Sequence, residues 1–579
     1  MRASTTQNGL TLRVIAGTRD AIIAFDLQEN KRKGCLGFSI QKTIVGPAAN
    51  PTPAGQQKTE WLPNMLRFPS APLAAGEAFS TTEDAPLQKF RWGDYGLEPA
   101  TTYRYKVIPR YGKPNDLTGF PGLENGVEIE ITTEDPNNQE TAVFFNRAAA
   151  ASIAFNREFP DVKDVSDSSD EAARARKWLS NGLEEAVLAF LNKAEKGDAL
   201  HAAIYEFQKP SLLKGIKDAA ERGVSVEVVY HHRRKNDKDT TAVKNDAAVK
   251  AAGLDDAALA SENLPSVVKP RSANPQSAIM HNKFVVLLKN DGTKPVPTAV
   301  WTGSTNWTDG GIYGQLNVGH AIYDAEVAGL YEGYFQMLHN DDDASTLKHA
   351  LGNLTPISLL IPSEHKVMPI FSPQEDATML HLYAKVCEGA KMLLVSAPFA
   401  LSPIILGTLV EKSDDVLRFM LLDKIGSLGH EVNIIEGDPD DSIAVATTIS
   451  SPLHDFQGKL LEGKESFHHA GIHIHSKIIM VDPFGSDPII VTGSANFSNN
   501  STEINDSNSL ILRGFTSVTD IYATDFMRMF EHYHFRANEA KAQDKSKPLD
   551  LVEDDSWSDE YYVVGSTEEK DRRMFAGTM

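Results

Sequence analysis

Apolar and polar residues alternate with period two through most of the first 135 positions. The runs LTLRVIAG, AIIAFDL, LGFSIQKT, TYRYKVIPRY and VEIEITTE are each bounded by Pro, Gly or polar turns. Successive side chains of a strand point to opposite faces, so this alternation predicts half-buried strands packed as an antiparallel β-sandwich. From about residue 136 the texture changes. NRAAAASIAFNREF and ARKWLSNGLEEAVLAFLNKAEKG read as helices, ALHAAIYEF as a strand, KPSLLKGIKDAAERG as a helix and VSVEVVYHH as another strand. Helices alternating with short apolar strands predict an α/β unit whose sheet is largely parallel and covered on both faces.

The same order returns later in the chain. LYAKVCEGAKMLLVSAPF and LSPIILGTLVEKSDDVLRFMLLD again give helix, strand, helix, strand, with Phe399 falling where Phe207 fell. MHNKFVVLLK with AVWTGSTNW then matches IHSKIIMVD with IIVTGSANF, and each copy closes on a helix, AEVAGLYEGYFQMLHN or TDIYATDFMRMFEHYHFRAN. Recurrence in this order implies two copies of one unit. The expected organisation is a sandwich at 1–135, α/β lobes at 136–350 and 351–545, and an acidic tail at 546–579. That tail either folds back through Trp557, Tyr561 and Tyr562 or stays mobile.

Length and charge narrow the picture. The chain has 579 residues, well beyond the ~100–200 of one domain. Its 57 basic against 78 acidic residues give a net charge of −21, which disfavours a bare phosphate polymer as partner unless basic groups cluster locally. Cys35 and Cys387 lie far apart and read as core thiols rather than a disulfide or metal framework. The start shows no secretory signal, and no stretch approaches the ~20 apolar residues of a membrane span, so a cytoplasmic protein is expected.

The chemistry lies where the two copies coincide. Strand residues i and i+2 share a face, so His281 pairs with Lys283 and His475 with Lys477, a titratable base beside a fixed cation. Both pairs head strands apolar on either face, where polar groups need partners or a ligand. The turns GSTN and GSAN add Ser304, Asn306, Ser494 and Asn496 as neutral donors. Two sets converging across a pseudo-twofold axis suit phosphodiester cleavage. One neutral imidazole attacks phosphorus to form a phosphohistidine, the opposite imidazolium protonates the leaving alkoxide, and water then releases the phosphate. Lysines and asparagines hold the non-bridging oxygens, and no metal or other cofactor is needed. His468, His469, His473 and His475 lack a carboxylate or cysteine at ligand spacing, so His473 reads as a buried or supporting group. HHRRKNDK at 231–238 is mixed in charge and reads as a solvated loop.

His-x-Lys, an Asp seven residues after the His, and Gly-Ser-x-Asn together resemble the phospholipase D superfamily, in its two-motif, single-chain form. The second copy matches through His475, Lys477, Asp482, Gly493, Ser494 and Asn496. The resemblance spans roughly residues 140–540. It implies a phosphodiesterase acting on a phospholipid or related diester, with a nuclease as the alternative. The first copy departs from the pattern, with Leu288 in place of the Asp. The family often places a Glu after the Asn motif to orient the partner histidine; the matching positions here read as Leu316 and Ser507, with Asp506, Glu503, Asn317 and Asn508 as candidate substitutes. These departures are the support for a third reading, a phosphate-binding protein without turnover. Within the sandwich, LEPATTYRYKVIPRYG resembles a segment of fibronectin type III domains, through Leu97, Pro99 and Tyr103.

Overall fold

The structure, a computed structural model, describes residues 1–71, 80–137, 140–147, 155, 158–162, 167–234, 240–272, 278–363, 365–410, 416–424, 441–446, 473–544 and 550–579. Among the described residues of the first 135 positions, two main antiparallel sheets form an all-β unit, with Pro63–Asn64 and Ser80–Thr81 paired separately. One main sheet runs in the order Arg2–Gln7, Leu10–Ala16, Asp20–Leu27, Arg91–Tyr95. In the other, Thr101–Lys113 pairs with Asp116–Gly119, with Val127–Thr132 and with Gly37–Pro47, which also pairs with Lys58–Trp61. The alternation works as expected: Leu10, Leu12 and Val14 are fully buried while Thr11 and Arg13 between them are not. Tyr103 turns its hydroxyl back to accept the Glu98 amide at 2.8 Å, which pins the chain entering the longest strand.

The rest of the chain is mixed α/β, with helices flanking two seven-stranded sheets of matching order. The first runs Thr141–Phe145, Val318–Ile322, Pro295–Gly303, Lys283–Asn290, Ala199–Ile204, Ser225–His231, Val268–Arg271. The second runs Lys366–Ser372, Ser507–Arg513, Ile489–Gly493, Ile478–Val481, Met392–Ala397, Leu417–Leu422, Asp441–Val445. In each, four antiparallel pairings are followed by two parallel ones. The expectation of a largely parallel sheet is therefore corrected. Lys283–Asn290 returns through a short turn into Pro295–Gly303, and so tight a connection forces antiparallel pairing. A strand buried on both faces carries no periodicity that betrays its direction.

Three further expectations shift. ARKWLSNGLEEAVLAFL is two helices, Asp170–Ser180 and Leu183–Leu191, because Asn181 and Gly182 both take positive φ. Most of NRAAAASIAFNREF lies outside the described residues. Phe207 and Phe399 are not counterparts: Ala203 lies opposite Phe284 and Ser396 opposite Ile478, so Glu206 matches Phe399 and buried Phe207 matches Ala400.

The lobes share one apolar core, in which Met280, Phe284, Tyr331 and Tyr334 pack with Phe371, Ile474, Ile478 and Tyr522. The closing helices Ala325–His339 and Thr516–Asp544 each cover their own sheet and reach the other lobe's edge strand. Residues 550–579 fold back on the all-β unit. Trp557 donates to the Cys35 carbonyl at 2.8 Å, Tyr562 donates to that of Leu27 at 2.7 Å, and Phe575 on the helix Thr567–Ala576 packs against Phe419 and Phe484. Both cysteines are buried free thiols. Among the described residues no helix is long and apolar enough to cross a membrane.

Candidate active site

Each histidine segment is stitched to the other lobe by backbone. The His281 amide donates to the Asp506 carbonyl at 2.7 Å, and the His475 amide to that of Leu316 at 3.1 Å. Return bonds run from Asp506 to Ile279 at 3.1 Å and from Leu316 to His473 at 2.7 Å. This reciprocal pairing sets the two imidazoles 6.4 Å apart between ring centroids. Two near-attack separations of about 3 Å laid end to end span a similar distance, so the rings bracket the space of one phosphoryl group.

The turns after the hairpin strands are held by backbone geometry. Gly303 and Gly493 sit at φ of 156° and 142°, and a Cβ on Gly303 would stand 2.2 Å from the Val318 carbonyl oxygen. The serine hydroxyls are spent inside their own lobes. Ser304 donates to Asn317 Oδ1 at 2.8 Å and accepts the Val318 amide at 3.1 Å, while Ser494 accepts the Asn508 amide at 3.0 Å. They brace the turns rather than offering donors to a ligand. Asn306 and Asn496 differ: the Oδ1 atom of each is buried with no hydrogen-bond partner.

Lys283 and Lys477 are almost completely buried, and among the described residues neither forms a salt bridge. Each donates to the carbonyl of its own histidine, Lys283 at 2.5 Å. Lys283 Nζ also lies 5.1 Å from the Tyr205 ring, which stands 5.1 Å from the His281 ring. Burial pushes both ammonium groups well below the usual lysine range, with Glu206 partly offsetting this at Lys283 and Lys283 adding to it at Lys477. Burial likewise pushes His281 down, aided by Lys283, Lys477 and His475, and pushes His475 down, aided by Lys477 and Lys283. Two lysines and two imidazoles thus share a buried site in which Glu206 offsets only part of the cost at Lys283, a costly arrangement that a bound phosphate would relieve.

A pH dependence follows. An anion raises all four depressed groups toward their ordinary values, so its binding takes up protons and tightens as pH falls from 8 to 6. Sulfate, whose own charge is constant in that window, should show this by calorimetry in buffers of different ionisation enthalpy. Proton-neutral binding would contradict it.

The acidic candidates fall outside this group. Asp482, at φ 46°, accepts the Lys391 and Met392 amides at 2.8 Å each and so caps a strand. In the first lobe, where Leu288 replaces it, Asp198 serves the same junction from the neighbouring strand, accepting the Asn290 amide at 2.9 Å. The Asp506 carboxylate takes the Arg271 Nε at 3.1 Å, and its backbone carbonyl accepts the His281 amide. Glu503 accepts from Asn499, and Asn508 is held by Asn282, Thr302 and Tyr331. Asn317 is the residue that contacts a histidine, its Oδ1 standing 2.9 Å from His475 Nδ1. The matching of Leu316 with Ser507 is corrected by one residue. Bridges pair Leu316 with Ile474 and Asp506 with Met280, so the true counterparts are Leu316 with Asp506 and Asn317 with Ser507.

Tyr205, Asp198 and Arg271 had no signal in the motif itself; Tyr205 directly follows Ala199–Ile204, the strand paired with the histidine strand, and its counterpart is Pro398. His473 and Ile474 donate their amides to Asp423, at 2.6 and 3.1 Å. His468 and His469 lie outside the described residues, as do positions 235–238 of HHRRKNDK, whose His231 is buried. Among the described residues no cluster of His, Cys, Asp or Glu could hold a metal ion.

Residues 187–339, which include His281, Lys283 and Asn306, match the family model described as "Cardiolipin synthase, PLD-like domain". No curated protein sequence matches the chain. Among solved structures, phosphatidylserine synthase of Haemophilus influenzae is similar at 13% identity and a TM-score of 0.42, over 63% of this chain and 92% of that one. The phospholipase D family member Nuc of Salmonella typhimurium gives 19% and 0.20, over 30% and 94%. Yeast tyrosyl-DNA phosphodiesterase gives 13% and 0.31, over 55% and 83%.

Proposed function

We propose that the chain is a metal-independent phosphodiesterase of the phospholipase D type, cleaving a phospholipid or related diester through a phosphohistidine. One observation carries this reading: His281, Lys283, His475 and Lys477 are buried together across a pseudo-twofold axis, and among the described residues neither lysine forms a salt bridge. A phosphodiester entering this site meets two ammonium groups for its non-bridging oxygens and an imidazole on either side. One imidazole attacks as the other protonates the departing oxygen; the second then takes a proton from water, whose oxygen displaces the histidine. Asn306 and Asn496, each with an unpaired oxygen, are placed to turn their amides toward the ligand. The all-β unit is read as fibronectin type III-like, supported by its strand order and by the Tyr103 contact.

The testing experiment incubates purified protein and EDTA separately with phosphatidylcholine, single-stranded DNA and a chromogenic diester. Release of choline in EDTA is expected. Cleavage of DNA alone would favour the nuclease, and no turnover of any diester would leave only the binding protein.

A further inference from the structure

Thr141–Phe145 is the edge strand of the first seven-stranded sheet and Lys366–Ser372 that of the second. Between the outer ends of these two strands lies a cavity of about 540 Å³. The helices Ala325–His339 and Ala344–Leu354, with residues from the segment 355–363, complete its walls. Small-molecule pockets usually measure about 300–1,000 Å³, so the space suits a ligand. It is not the phosphate site. Lys366, on its wall, and Ser372, whose hydroxyl accepts the Ser507 amide, are the two ends of one strand, roughly 20 Å apart at the rise of an extended chain.

The walls are largely apolar. Ile322, Val327, Leu330, Leu354, Val367 and Met368 line the cavity, and Leu360, also on the lining, is 77% exposed. Two neutral polar groups interrupt this surface. Thr141 stands opposite Ile322 in the strand ladder, so both side chains project from the same face of the sheet. Thr141 is 2% exposed, and among the described residues its Oγ1, like that of Thr355, is buried without a hydrogen-bond partner. An unpaired buried hydroxyl is costly, and a ligand oxygen within reach removes that cost. The charged groups sit at the exposed rim and are engaged. His365 Nε2 and Lys366 Nζ each stand 4.0 Å from a carboxylate, that of Glu140 and that of Glu326, and Asp324 accepts the Glu326 and Val327 amides at 2.8 and 3.1 Å.

We propose that this cavity binds an uncharged single-chain amphiphile, an alcohol or glycerol monoester, with its alkyl chain along the apolar walls and its head oxygens at the Thr141 and Thr355 hydroxyls. A glycerol hydroxyl both donates and accepts, as a threonine hydroxyl does, so it satisfies either one. A carboxylate head meets Glu140, Asp324 and Glu326 at the rim against the one fixed cation Lys366 and the titratable His365. A trimethylammonium head offers the hydroxyls no hydrogen bond. Each methylene buried against the walls adds about fourfold in affinity. This site is independent of the phosphodiesterase reading and stands or falls without it.

The test is calorimetric titration of the full chain with 1-decanoylglycerol below its micellar range, compared with 1-octanoylglycerol, decanoate, decyltrimethylammonium and glycerol. One equivalent of the decanoyl ester is expected to bind. The octanoyl ester, two methylenes shorter, should bind on the order of tenfold more weakly. Decanoate, decyltrimethylammonium and glycerol should all bind more weakly than the decanoyl ester. Thr141→Val removes the hydroxyl and keeps the shape, so it should weaken decanoyl binding about three- to tenfold while leaving Tm unchanged or higher. Leu330→Trp fills the cavity and should abolish binding; should that variant fail to fold, Thr141→Val carries the test. No binding of the decanoyl ester, or equal or tighter binding of either charged amphiphile, would overturn the proposal. So would several equivalents bound without regard to Thr141→Val, which marks adventitious adsorption. A lower Tm for Thr141→Val would overturn it as well, because the hydroxyl would then already have a partner.

Discussion

Alanine at His281 or His475 is expected to lower kcat for choline release by about 10²–10⁴-fold, the usual worth of a positioned proton-transfer group. Loss of the attacking ring should fall at or beyond the upper end, because it removes the covalent route altogether. The double variant should be hardly worse than the worse single one, since groups that act as a unit are strongly non-additive. The choice of substrate matters. Choline departs as a poor leaving group, so both the attack and the protonation are needed, and steady-state assays of the three variants in EDTA check the pattern. Multiplicative losses would mean that the rings act independently, against the shared phosphorus implied by their 6.4 Å separation.

Methionine at Lys283 or Lys477 should act in two directions at once. The ammonium groups stabilise charge on the non-bridging oxygens, and their removal should cost about 10²–10³-fold in kcat. The same groups are buried, among the described residues neither forms a salt bridge, and methionine fills nearly the same volume without the charge. Replacing such buried charge with a well-packed apolar side chain stabilises on the order of 1–4 kcal/mol. A higher Tm combined with lost activity, and with lost sulfate binding, is therefore expected from thermal melts and kinetics together. Lower stability with activity retained would place the lysines in a structural role.

The parts of this site visible in the sequence are those written twice. His-x-Lys at the head of an apolar strand and Gly-Ser-x-Asn at the end of another mark positions that the fold duplicates, and the structure brings His281, Lys283, His475 and Lys477 together. The orienting residues were harder to place because they act across the lobes. Counting the same interval from Asn306 and from Asn496 lands on Asn317 and Ser507; matching the apolar runs that follow slipped the first by one residue. Asp506 read as a candidate orienting group because it is acidic and close in sequence, but buried Arg271, from a strand far earlier in the chain, claims its carboxylate. Tyr205 and Asp198 flank one strand, Ala199–Ile204, that becomes a neighbour of the histidine strand only through sheet order. Strand direction was equally hidden, since FVVLL and IIMV are apolar on both faces. The return of Trp557 and Phe575 onto the body of the protein depends on surfaces formed by distant segments.

A crystal structure with orthovanadate bound tests the central claim most directly. The account predicts a single vanadium centre between the lobes, with a ring nitrogen of His281 and one of His475 on opposite sides of it and Lys283 and Lys477 on its equatorial oxygens. Vanadate held by one lobe alone, or seated away from both imidazoles, would contradict it.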